Sequence, residues 1–178
     1  SIKPIHTPAD LAGLKLRVSS NDLSITSFTD LGATSVGMDM GDVYQAMSGG
    51  TIDAVENPIS SLYNRSFHEV AKYLCKNEHI LATSMWICGE SFFSTLTPDQ
   101  QQILMECADE AGLMNNDLYD DITAAAEQGM KDAGVEIYEL TDADKQAWAD
   151  AAQKFFDEAT DTLGWSEGLY DTVKTIAK

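Results

Sequence analysis

Arg17 is one of only two arginines, with Arg65, in a chain of 178 residues whose formal net charge is -18. Its planar guanidinium can hold a carboxylate through two parallel hydrogen bonds, a geometry that Lys cannot copy. It lies in the alternating run Leu14-Lys15-Leu16-Arg17-Val18, which reads as a strand. The cluster Ser19-Ser20-Asn21-Asp22 that follows reads as a helix start, where free N–H groups also favour an anion. Glu56-Asn57-Pro58 has the same placement after a second β-like run, and Asn57 offers one acceptor and two donors to a carboxylate or hydroxyl. Each residue also has a plainer reading. Arg17 would serve as half of a surface salt bridge, Asn57 as a helix N-cap ahead of Pro58, and Arg65 as a partner for surface acids. Met40, Tyr63 and Trp86 would be ordinary core.

Catalytic motifs are scarce. The sequence has no Walker loop, no GxGxxG and no GxSxG elbow. A small hydrolase would have to assemble Ser, His and Asp from scattered loops. Cys75, Cys88 and Cys107 form no CxxC pair and do not cluster with His6, His68 or His79, which argues against a metal site. Buried free thiols are the expectation, and a single disulfide stays open in an oxidising compartment. The carboxylates Asp109, Glu110, Asp117, Asp120, Asp121 and Glu127 recur around one helical stretch and read as a solvated face. The acidic balance excludes unaided binding to nucleic acid or anionic membrane. No stretch approaches the ~20 apolar residues of a membrane span. No basic-then-apolar segment opens the sequence, so an export signal is expected to have been removed or to lie outside it.

These residues need a scaffold, and the periodicity supplies an α/β one. Strands are expected at residues 14–18, 35–38 and 51–55. Helices are expected between them, around Leu23–Leu31 and from Asp42 to the stop at Gly49-Gly50. Strand–helix alternation with short links argues for a parallel or mixed sheet covered by helices. Pro58 suits the first turn of a further short helix. Residues 79–88 form the longest extended candidate. Thr97-Pro98 then opens a helix that meets no strong stop before about Ala133, roughly 50 Å of rise. Residues 134–140 read as a returning strand, Thr141-Asp142 caps another helix, and Trp165 begins the last helical segment.

Several blocks, taken together, resemble the DctP-type solute-binding proteins of TRAP transporters. Thr7-Pro8-Ala9-Asp10-Leu11-Ala12-Gly13-Leu14-Lys15-Leu16-Arg17-Val18 is similar to that family's "TPADLKGLKIRVP". The run from Met38 through Asp42-Val43-Tyr44 to Met47 is similar to "MPxxEVYTAL", and Thr51-Ile52-Asp53-Ala54-Val55-Glu56-Asn57-Pro58 to "VVDGQENP". Phe67-His68-Glu69-Val70-Ala71-Lys72-Tyr73-Leu74 resembles "FYEVQKYL", and Leu96-Thr97-Pro98-Asp99-Gln100-Gln101 resembles "LPPEDQ". The blocks keep family order and spacing. Ser19 in place of Pro, and Gly41-Asp42 in place of Ser-Glu, depart from the pattern in ways that bear on pocket shape.

The resemblance implies an extracytoplasmic or periplasmic protein of two α/β lobes that close on a small organic acid and deliver it to a membrane permease. Arg17 would pair with the ligand carboxylate, Asn57 and Ser20 would add polar contacts, and Met40 would line the pocket. Thr83 and Trp86 would join from a strand crossing between lobes. No catalytic residue, cofactor, metal or nucleic-acid partner is implied. The fold expected is a type II periplasmic-binding-protein-like lobe, with a mixed sheet flanked by helices and one long lobe-spanning helix. Residues 1–78 would be the α/β portion of the second lobe, 79–133 the crossing strand and spanning helix, and 134–178 the returning strand and last helices. On this reading the sequence is a C-terminal part with most of the first lobe absent, and its uncovered apolar surface would favour self-association.

Overall fold

Leu16 and Val18 face one way from strand β1 (Lys15–Val18), and Arg17 must face the other. The computed structural model describes residues 1–80 and 83–176. In it β1 is the middle of a three-stranded sheet, between β2 (Thr34–Gly37) and β3 (Ala54–Val55). Both pairings are parallel and place Arg17 beside Val36 on one side and Val55 on the other. Parallel neighbours need crossovers. Helix α1 (Asp22–Asp30) and helix α2 (Val43–Ser48) supply them. The α1 start follows from its sequence, because Asn21 Oδ1 accepts the Ser24 N–H at 2.8 Å.

The sheet separates two apolar clusters. Leu16, Val18, Ala54, Phe28 and Trp148 pack on one face. Val43, Met47, Ile52, Leu62 and Phe67 pack in the other cluster, with Val36 and Val55 against them. Helices α3 (Ile59–Asn64) and α4 (Phe67–Val70) lead to strand β4 (Tyr73–Lys76), which pairs in parallel with β5 (Glu136–Glu139) as a second, two-stranded sheet. Among the described residues every strand pair is parallel, so the expected mixed sheet is two small parallel ones. The strand expected at 79–88 does not form. Residues 83–89 have no regular structure and are exposed, while 81 and 82 lie outside the described residues. The strand that does form lies earlier, at β4, because only there does the chain meet a partner.

After the short helix α5 (Glu90–Phe93) comes α6 (Pro98–Asp132), 35 residues long. Its start is a reciprocal cap: Gln100 N–H donates to Thr97 Oγ1 at 3.3 Å, and Thr97 N–H to Gln100 Oε1 at 2.9 Å. Only its last part is buried, at Ala126 and Met130. Ile103, Met105, Leu113, Met114 and Tyr119 along the rest are exposed. Helix α7 (Asp142–Leu163) is capped by Thr141 in the same way and returns Trp148 to the first cluster, its Nε1–H donating to the His6 carbonyl at 3.2 Å. Helix α8 (Leu169–Ile176) starts beyond Trp165, and its Tyr170 stacks on Phe156 at 4.2 Å. No described helix is long and apolar enough to cross a membrane.

The α3–α6 contact depends on one glycine. A Cβ at Gly129 would lie 2.4 Å from Tyr63 Cζ, whereas a Cβ at Gly112 on the same helix would meet nothing within 4 Å. Ala normally exceeds Gly in a helix by about 1 kcal/mol. Crowding of a packed side chain costs roughly 1–3 kcal/mol and outweighs that gain. Gly112→Ala should therefore raise the urea midpoint and Gly129→Ala lower it. A rise in both would show that Tyr63 moves aside freely.

Three carboxylates are held below their ordinary range. Asp10 accepts the backbone N–H groups of Thr7 and His6, Glu127 faces Lys131 and Lys76, and Asp144 accepts from Thr141 and Tyr138. A depressed folded value contributes stability that is complete above the unfolded range, about pH 4, and is lost as the pH falls through the folded value. The thermal midpoint should hold from about pH 7 to 5 and fall below about pH 4. Replacing Asp144 by Asn should flatten that acid limb.

Candidate functional site

Arg17 is 4% exposed, the one charged or polar side chain among the described residues to be fully buried. Its Nε–H donates to the Met38 carbonyl at 2.7 Å, which fixes the guanidinium at the end of β2. One terminal nitrogen, Nη1, is buried with no hydrogen-bond partner among the described residues. The surface salt-bridge reading therefore does not hold, since Arg17 joins none of the ion pairs among those residues. Burial pulls its pKa down, Glu56 and then Asp39 oppose that shift, and Arg65 adds to it. An arginine stays protonated regardless. A buried charged donor left unpaired is costly, by at least the ~1–3 kcal/mol of a neutral one.

Asn57 stands two residues beyond Val55, at the carboxyl end of the strand beside Arg17. The Glu56 N–H donates to the Arg17 carbonyl at 3.4 Å and ties the two segments together. Asn57 is half-buried and is not the helix cap: Pro58 holds that position, with no side-chain cap bond. Ser20 is exposed in the turn after β1, with Oγ 3.4 Å from where a Cβ on Gly37 would be, so it rests on the end of β2. Met40 is half-buried against the second cluster. Arg17 lies in the middle strand, and Ser20, Met40 and Asn57 lie in the segments that leave the carboxyl ends of β1, β2 and β3, where open α/β sheets present ligand sites. Thr83 and Trp86 do not join them. Both are exposed on the irregular segment before α5, Trp86 at 72%.

A cavity of about 90 Å³ lies between the two sheets, lined by Glu56, Asn57, Asn77 and His79 together with Leu16, Phe28 and Trp148. Asn57 is part of its lining and Arg17 is not. His79 Nε2 lies 3.3 Å from Glu56 Oε2, its Nδ1 lies 2.8 Å from Asn77 Oδ1, and the ring meets the edge of Phe28. This pair is absent from the sequence reading, because its partners are 23 residues apart with no local pattern between them. The other histidines are stacked, His6 on Tyr138 and His68 on Tyr63. Among the described residues no histidine hydrogen-bonds to a serine or cysteine, so no Ser–His or Cys–His pair is seen there.

A family model described as bacterial extracellular solute-binding protein, family 7, matches residues 1–162. The chain is 36% identical over 148 residues to the 2,3-diketo-L-gulonate-binding periplasmic protein YiaO of Escherichia coli, covering 83% of this chain and 44% of that protein. It is 30% identical over 162 residues to the C4-dicarboxylate-binding periplasmic protein DctP of Rhodobacter capsulatus, covering 90% and 49%. It spans about half the length of these curated relatives. Among solved structures, it resembles a TRAP periplasmic solute-binding protein from Ochrobacterium anthropi with bound L-fuconate (TM-score 0.88, 40% identity, 98% of this chain, 56% of that one). One from Sulfitobacter sp. NAS-14.1 with bound β-D-galacturonate matches with TM-score 0.80 and 32% identity over 90% and 52% of the two chains.

Both curated relatives are periplasmic by name, and an oxidising compartment makes free thiols matter. Burial was expected for all three cysteines and is found, in part, only for Cys75; Cys88 and Cys107 are exposed. Burial, with Asp144 and Asp10 adding to it, pushes the Cys75 thiol up to about 11. The thiolate is the reactive form. Iodoacetamide at about pH 8 should label Cys88 and Cys107 well before Cys75, read by peptide mass mapping. Equal rates would mean that β4 opens readily.

Proposed function

The chain belongs to the bacterial extracellular solute-binding proteins of family 7, and on that premise we propose that it captures a small organic acid through an Arg17–carboxylate pair for delivery to a TRAP membrane permease. The observation that carries this reading is the buried guanidinium with one terminal nitrogen unpartnered among the described residues. A ligand carboxylate supplies the acceptor that the protein does not, and it supplies charge as well, which roughly doubles the strength of such a bond. Asn57 and Ser20 would orient the rest of the ligand, and Met40 would give it an apolar wall. Thr83 and Trp86 would reach a ligand only from a covering lobe, and we assign them no contact with the carboxylate.

The relatives divide between those named for or holding sugar acids, at 36% and 40% identity, and one named for C4-dicarboxylates at 30%, and the more similar ones set the class proposed. Solved neighbours hold L-fuconate, β-D-galacturonate and L-galactonate, all sugar acids with one carboxylate. A sugar acid is therefore the proposed ligand. Such a protein works outside the cytoplasm, where its family acts, and its work is binding without a covalent step. The apolar row exposed along α6 suits a helix that braces a second lobe. On that reading residues 1–78 and 134–178 form one lobe and 79–133 cross from it.

Truncating one member of a buried, charged hydrogen-bonded pair costs a few kcal/mol. Arg17→Ala should therefore weaken sugar-acid binding by about two orders of magnitude, and Arg17→Lys should restore little because Lys lacks the fork. Unchanged affinity in calorimetry would remove Arg17 as the anchor. A polypeptide of these 178 residues should also self-associate through α6. A compact monomer in sedimentation velocity at high concentration would count against that use of the apolar row.

A further inference from the structure

We infer that Asp39 selects the ligand at this site, favouring hydroxylated monocarboxylates over dicarboxylates by accepting a ligand hydroxyl and repelling a second carboxylate. The inference rests on the reading of Arg17 as the carboxylate anchor. Asp39 directly follows Met38, whose carbonyl clamps Arg17 Nε at 2.7 Å. The clamp holds the start of the 38–40 loop against the guanidinium, which keeps the Asp39 backbone close to it. The Asp39 side chain is exposed and makes no hydrogen bond or ion pair among the described residues, although its backbone carbonyl accepts the Asp42 N–H at 3.1 Å. Its charge nevertheless reaches the guanidinium and supports the protonated form.

Three charged groups act on the Arg17 guanidinium: Glu56 and Asp39 support its charge and Arg65 opposes it, so with Arg17 itself these four sum to zero. Glu56 is already engaged by His79 Nε2 at 3.3 Å. Asp39 is thus the one acid of the set whose side chain has no partner among the described residues. A monoanion leaves the site with one net negative charge and a dianion with two. The second carboxylate of a short diacid, held a few ångströms from the first, would meet Asp39 in a chain already strongly acidic. A ligand hydroxyl in the same place would instead donate to Asp39 in a charge-assisted hydrogen bond. Arg65 is exposed beyond the C-terminus of α3, so it screens the rim without cancelling Asp39.

Calorimetry on the protein as it is produced in the cell, with D-galacturonate and succinate as probes, tests this. In Asp39→Ala, galacturonate should bind about tenfold more weakly, since a hydrogen bond to a charged group is lost, while succinate binds several-fold more tightly. Asp39→Asn keeps an acceptor and removes the charge, so it should spare most galacturonate affinity and still strengthen succinate. If both ligands shift in the same direction, or neither shifts, Asp39 is not the selector. If Arg17→Ala leaves both affinities intact, the anchor itself fails, which is a separate result from failure at Asp39. A wild-type protein that binds neither probe overturns both.

Discussion

A guanidinium buried in the middle strand of a small parallel sheet is the constraint around which this molecule is arranged. Taking such a charge out of water costs several kcal/mol unless its donors are met. The protein meets one of them directly, through the Met38 carbonyl, and places Glu56 and Asp39 where their fields support the charge without touching it. Full pairing inside the fold would have been more stable and would have left nothing to recognise. Partial pairing keeps a donor ready for an incoming carboxylate, and the sheet must be rigid enough to hold it. Val36 and Val55, beside Arg17 in the two flanking strands, supply that rigidity through their packing in the second cluster.

The same constraint explains why the ligand residues stand where they do. Every crossover in a parallel sheet returns the chain to the same edge, so the segments after β1, β2 and β3 must meet there. Ser20, Met40 and Asn57 are the products of that geometry. The second sheet is joined to the first by apolar side chains and by the Glu56–His79 pair, which brings the residue before Asn57 into contact with the segment that leaves β4.

What the sequence discloses follows the range of the interactions. The starts of α1, α6 and α7 were legible because Asn21, Thr97 and Thr141 bond only three residues ahead. The length of α6 was legible because no proline interrupts it. Strand β4 was not, because Tyr73 pairs with Glu136 and nothing near Tyr73 announces a partner so far along the chain. The opposite holds at residues 79–88, whose apolar composition suggests a strand although the described residues there pair with no neighbour. Composition marks a residue as able to pair, and pairing needs a second segment. Arg17 showed the same limit. Its type made it a candidate, but a surface ion pair and a ligand anchor look identical until burial is known. The family resemblance supplied the preference that local spacing could not.

The acidic excess also changes meaning when it is placed on the fold. About half of the carboxylates lie on α6 and α7, mostly exposed, and they keep the outward faces of those long helices hydrated. An anionic ligand approaching such a surface is repelled by the long-range field and attracted only close to the guanidinium pair. Screening over about 8–10 Å at physiological ionic strength removes most of the first effect and little of the second, because Arg17 is buried and its field is not screened at contact. Net charge therefore says little about whether an anion can bind here. The charges that act on Arg17, from Glu56, Asp39 and Arg65, matter more to an arriving carboxylate than the total does, and with Asp39 as the proposed selector they admit one carboxylate more readily than two.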